Sequence, residues 1–216
     1  MNFFAHYYYG RQEGNYWHNA GLLFPDLLRI FTGKQRVNSR GLNKLVNYNS
    51  ELVSGIRNHL HVDAVFHDWK WFLDMNHEIA LKIRSSDSDI NRDWFVAHIF
   101  IELAIDHVLV TDNLPLVESL YSDLEMCDEI GWYQFFDEYT LKDKDKWIMG
   151  LSKFIEYRYI FTYQDTTKII YALNRICQRT GLSDFNEQQS EFLLLILKDF
   201  IPEIKIRLKE LQNILK

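Results

Sequence analysis

The chain has 216 residues and a mass of 25.9 kDa, with 47% hydrophobic and 25% charged residues. That composition excludes disorder, a collagen-like repeat and a low-complexity polymer, and it suffices for one domain with a substantial core. A formal charge of -6 argues against a general nucleic-acid binder, which would carry a basic surplus.

Three prolines and nine glycines leave long uninterrupted stretches in which helical periodicity dominates. Residues 19–31 carry Leu22, Leu23, Leu27, Leu28 and Ile30 at helical spacing, with Pro25 expected near a helix start or at a kink. Asn38-Ser39-Arg40-Gly41 reads as a turn. Helices are then expected over 50–67 and 69–84, with a break near Ser85-Ser86 that continues through Asp87 to Asn91. A strongly patterned helix covers 92–110. Asn113-Leu114-Pro115 restarts the chain, and 116–126, 130–139, 145–160 and 165–179 are helical. Gly181 suits a helix C-terminus, and Ser183 or Asp184 suits the cap of a last helix that starts near 187 and is kinked or split by Pro202. Nothing marks a linker, so the expectation is a single all-α domain over 1–216.

No CxxC pair joins Cys127 and Cys177, which read as reduced thiols of a cytoplasmic protein. The opening MNFFAHYYYG lacks a basic segment followed by a long apolar run, so no secretory leader is expected. FLLLIL at 192–197 is far too short to span a membrane, and no membrane partner is expected. Aromatic residues reach 15%, and the Tyr7-Tyr8-Tyr9 run reads as packing rather than base stacking, so no nucleic-acid partner is expected. Between Asp26 and Glu51 there is no acid, while Arg29, Lys34, Arg36, Arg40 and Lys44 form a local basic field.

The eight histidines all lie between His6 and His107. Glu102 and Asp106 are four apart in a helical, apolar segment, so they share a face and repel; His98 stands one turn earlier and His107 follows. His59, Asp63 and His67 are spaced four and four, along a stripe of about 12 Å. Asp26 in an apolar helix and His6 in the aromatic opening add two more such groups. Taken singly, each is more often a hydrogen-bonded boundary residue or a salt-bridge partner. Together, imidazoles and carboxylates amid apolar sequence suit a divalent metal such as Mn, Fe, Zn or Co. There is no HExxH, zinc-finger spacing, EF-hand loop, P-loop or GxSxG elbow.

The order and spacing of these motifs resemble the acyl carrier protein phosphodiesterases, or ACP hydrolases, a helical HD-domain-like family. The resemblance covers the first half best: Met1-Asn2-Phe3-Phe4-Ala5-His6, Gly21 to Asp26, Gly55 to His67, and Glu102 to Leu109, with a weaker echo at Ile176 to Arg179. It implies hydrolysis of the phosphodiester joining 4′-phosphopantetheine to a serine of holo-acyl carrier protein, with manganese as cofactor. It implies metal ligation by Asp26, His59, Asp63, His67 and Asp106, and catalytic roles for His6, His59, Glu102 and His107. The chain departs from the family pattern at Leu22, in place of asparagine, at Leu60, in place of arginine, and at Phe66-His67, in place of threonine-aspartate; Glu102 replaces an aspartate. Phosphate binding is then expected from Arg57, Arg179 or the basic stretch, where Lys34, Arg36 and Arg40 would steer the acidic carrier by charge complementarity. Two alternatives are a metal-dependent phosphohydrolase acting on a nucleotide or other small phosphodiester, and a non-catalytic helical binding protein with a degenerate site.

Overall fold

A computed structural model describes residues 1–33, 35–45, 50–86 and 89–215. The described residues are all-α, as the sequence predicts. In chain order they form α1 (Phe3–Gly10), α2 (Tyr16–Thr32), α3 (Ser39–Leu42), α4 (Ser50–Asp68), α5 (Lys70–Ser85), α6 (Asp93–Asp112), α7 (Leu114–Glu125), α8 (Glu129–Tyr139) and α9 (Lys144–Tyr157). A 3₁₀ helix (Tyr159–Gln164), α10 (Thr166–Arg179) and α11 (Glu187–Ile214) follow. Asp87 and Ser88, inside the expected break, lie outside the described residues. By contact the chain divides into two compact units. The first is Phe3–Ala64 with Asn113–Ile160; the second is Met1–Asn2, Val65–Asp112 and Phe161–Lys216.

In the first unit α2 packs against α1, α7 and α9. Asn15 caps α2, its side chain accepting from the His18 N–H at 3.1 Å. Pro25 therefore lies well inside the helix rather than near its start. Lacking an N–H, it withdraws the helical donor from the Gly21 carbonyl. The expected turn at 38–41 instead closes one helical turn, α3, because the Asn38 side chain accepts from the Gly41 N–H at 2.9 Å. The core is aromatic. Phe24 stacks on Trp132 at 5.6 Å and meets Trp147 at 4.6 Å, with Phe135 edge-on at 5.1 Å. Such pairs contribute about 0.5–1.5 kcal/mol each beyond area burial. The bulkiest fully buried side chains are all aromatic, so much of the aromatic excess is core packing. Tyr121, fully buried, accepts the Ile160 N–H at 2.9 Å. Helix α9 stops at Tyr157, short of the expected 160, because Arg158 takes a left-handed φ of 45°.

In the second unit α6 is packed by α5, α10 and α11. By length and composition α6 is apolar enough to cross a membrane, but two-thirds of it is buried as a core helix. Trp71 of α5 stacks on Phe200 of α11 at 5.7 Å and donates to Glu203 at 3.1 Å. The cap of α11 is Asn186, in a reciprocal capping box with Gln189, not Ser183 or Asp184. The reason is local: Asn174 of α10 accepts the Phe185 N–H at 3.0 Å and donates to Asp184 at 3.3 Å, so these residues are tied to α10 before α11 begins. Pro202 sits inside α11 without splitting it. Cys127 and Cys177 are free and buried, and burial pushes both thiols up, Cys177 to about 11, which leaves them unreactive.

Candidate metal centre

The first unit gathers three sequence-distant side chains. His6 on α1, Asp26 on α2 and His59 on α4 place one donor atom each within 4.8 Å of one another. The approach of α2 to α4 makes this possible. Gly21 and Gly55 face each other there: a Cβ on Gly55 would stand 3.0 Å from the Gly21 Cα, 2.9 Å from the His18 carbonyl carbon and closer still to its oxygen. One turn along α4 from Gly55, the buried His59 Nδ1 lies 2.7 Å from the Leu22 carbonyl oxygen. A carbonyl only accepts, so Nδ1 carries the proton and Nε2 is left with its lone pair, the tautomer a metal ligand needs. Nε2 faces Asp26 Oδ1 at 4.0 Å. That is too long for a hydrogen bond; two donors on a tetrahedral ion at about 2.0–2.2 Å each stand about 3.3–3.6 Å apart, so this pair would close by roughly half an ångström on an ion.

His6 is 1% exposed and stacks on the His59 ring at 3.7 Å with an 18° tilt. Two imidazolium charges at this separation would repel by about 4 kcal/mol at an effective dielectric of 20, so the pair suits two neutral rings facing one cation. His6 Nε2 also lies 3.8 Å from Asp63 Oδ1, whose side chain is 37% exposed and opens the group to solvent. Two imidazoles and a carboxylate, with a second carboxylate alongside, form a donor set for Mn, Fe, Co or Zn.

A second group lies in the second unit. His67 at the end of α4 and His98 and Glu102 on α6 also bring their donor atoms together. His67 Nε2 and His98 Nε2 each lie 3.2 Å from Glu102 Oε1 and 3.2 Å from each other. The Met1 ammonium stands 3.2 Å from the same oxygen. Burial raises the Glu102 carboxyl, but the Met1 charge and the hydrogen bonds from His67 and His98 outweigh it and hold the group well below the usual carboxylate range.

The sequence-derived candidates therefore separate. His6, Asp26 and His59 come together, with Asp63 beside His6. His67 and Glu102 join His98, which the helical spacing flagged but which no family motif contains. Asp106 is fully buried on α6; His107 is buried with Nδ1 2.6 Å from the Tyr163 carbonyl oxygen. Arg57 is exposed on α4 and donates to Asn43 at 3.0 Å. Arg36 and Arg40 are exposed, and Arg179 is exposed in the last turn of α10. Lys34 lies outside the described residues. What sequence reasoning missed is the Gly21–Gly55 approach and the Leu22 carbonyl. Both glycines fall inside the quoted motifs, and that was the only available signal.

No family model matches the chain, and neither a curated protein nor a solved structure matches it. The chain is an all-α protein with His/Asp and His/Glu clusters able to bind a divalent metal.

Proposed function

We propose that this protein is a cytoplasmic, manganese-dependent phosphodiesterase that removes 4′-phosphopantetheine from holo-acyl carrier protein. One observation carries the reading: the Leu22 carbonyl fixes His59 with Nε2 toward Asp26 while His6 lies against it, so that three separate motif segments converge on one donor set. The order of those motifs supplies the substrate.

His6, Asp26 and His59 hold the cation, and Asp63 stands next to them. When bound, a divalent metal acidifies water and polarises a phosphoryl oxygen. The Leu22 carbonyl keeps His59 from turning. Asp63 receives the proton that the attacking water releases. The water oxygen forms its bond to phosphorus as the bond from phosphorus to the serine oxygen breaks, and that oxygen leaves with the proton. One water is consumed, and the products are apo-carrier and free phosphopantetheine. The exposed Arg36, Arg40 and Arg57, with Lys34 from the sequence, supply positive charge for an acidic carrier and its phosphate.

The test is incubation with holo-carrier and Mn²⁺, read by mass spectrometry. Native protein converts holo- to apo-carrier, and Asp26→Asn reduces the rate at least 100-fold. Cleavage of small phosphodiesters with holo-carrier untouched would move the substrate. Unchanged turnover by Asp26→Asn would refute the site.

A further inference from the structure

The second group has the geometry of a metal site in its own right. We propose that His67, His98 and Glu102 form a second divalent-cation site, specific for zinc or a similar borderline transition metal, separate from the His6–Asp26–His59 group. This inference stands apart from the hydrolase reading.

The three donor atoms form an equilateral triangle with 3.2 Å edges. An ion in that plane would lie about 1.9 Å from each atom, slightly short of the about 2.0–2.2 Å that zinc takes with imidazole and carboxylate. Displacement of about 0.8–1.2 Å out of the plane restores that distance and leaves the far side open. The arrangement is one face of a tetrahedron, with the fourth position for water or a ligand. Hydrogen bonding alone accounts for the triangle poorly. Two imidazole N–H groups donating to Oε1 would converge at a narrow angle beside the Met1 ammonium that already reaches it, so at most one ring donates well and the other Nε2 keeps a lone pair facing the group.

The ligands are also held in place. The two rings stack at 4.9 Å with a 13° tilt. Phe72 sets its ring edge-to-face against both, at 5.4 Å from His67 and 5.1 Å from His98, and Phe66 does the same to His67 at 5.4 Å. The aromatic clamp restricts ring rotation while the imidazoles remain 30% exposed and Glu102 13%, so an ion can enter from solvent. The donor chemistry favours a transition metal. Two imidazoles and one carboxylate are too nitrogen-rich for Mg²⁺ or Ca²⁺, and they match the two-histidine, one-glutamate set of open zinc sites.

The full chain is stripped with chelator and equilibrated by dialysis against Zn²⁺ alone, then against Co²⁺ for its visible absorption. Bound metal is counted per chain, and circular dichroism confirms folding. Native protein binds zinc at this site and shows the intense bands of low-coordinate Co²⁺. His98→Ala and Glu102→Gln each weaken that binding at least tenfold and remove those bands, while Asp26→Asn retains them. His77→Ala, at an exposed position on α5, retains native binding. Zinc stoichiometry and cobalt bands unchanged in both His98→Ala and Glu102→Gln would overturn the proposal. So would loss of the bands in Asp26→Asn with retention in His98→Ala.

Discussion

Replacing Gly55 by alanine tests whether the glycine contact builds the metal group. The new methyl would stand 2.9 Å from the His18 carbonyl carbon, closer to its oxygen, and 3.0 Å from the Gly21 Cα. Ordinary carbon–carbon contact lies at about 3.5–4.0 Å, and the obstacle is main chain, which cannot turn aside, so α2 and α4 must part by about 1 Å. Overpacking of this kind costs about 1–3 kcal/mol, and the better helix propensity of alanine returns up to about 1 kcal/mol. A net loss of about 1–2 kcal/mol corresponds to a fall in Tm of about 2–8 °C for a chain of this size. The larger effect falls on the site. A 1 Å separation breaks the 2.7 Å bond from His59 to the Leu22 carbonyl, and loss of such an orienting partner weakens metal binding about 10–100-fold. Thermal denaturation of chelator-treated protein gives the first quantity, and Mn²⁺ titration below the unfolding range gives the second. A variant with native Tm and native affinity would refute the reasoning, because the helices would then not be in contact at Gly55. A lowered Tm with native affinity would show that the contact stabilises the fold without setting the His59 geometry.

Three other outcomes follow from the packing and the charges. Burial lowers the His18 pKa below 6.5, outweighing the Gly10 carbonyl and Glu51, which raise it. The folded state thus favours the neutral ring, and the associated stability is present above pH 6.5 and lost as pH falls through that value toward the folded pKa. The urea midpoint should decline over that window in native protein and decline less in His18→Gln; equal slopes would exclude His18 as the cause. Tyr121→Phe leaves the buried Ile160 N–H without its acceptor and should cost about 1–3 kcal/mol in denaturant unfolding. Arg36→Gln with Arg40→Gln should weaken carrier binding at low salt and flatten its salt dependence while leaving Mn²⁺ affinity native; an unchanged salt slope would remove the basic stretch from the docking surface.

Much of the fold was legible because apolar residues recur at helical spacing. The expected 50–67, 69–84 and 165–179 segments fall within two residues of α4, α5 and α10. Helix α1 was not read, since Phe3 to Gly10 is aromatic on every side and shows no period. Of the two places open to Pro25, a helix start or a kink, the start is excluded because Asn15 caps this helix ten residues before it. The same limit governs the site. Spacing along one helix places His59, Asp63 and His67 on one stripe, but it does not say which stripe of another helix they meet. Hence the spacing does not separate His67 from His59, whereas the structure places it with His98 and Glu102. Main-chain atoms and missing side chains carry no periodic signal, which is why the Leu22 carbonyl and the contact between the two glycines are not legible in the sequence.

The orienting partner of His59 is a peptide oxygen, and every amino acid brings one. The leucine side chain at position 22 thus takes no part in the contact, which its main chain alone provides. Selection can preserve such a contact through the path of the helix alone, while the letters that sequence comparison depends on drift freely. A histidine held in this way depends on small residues where backbones touch, here Gly21 and Gly55.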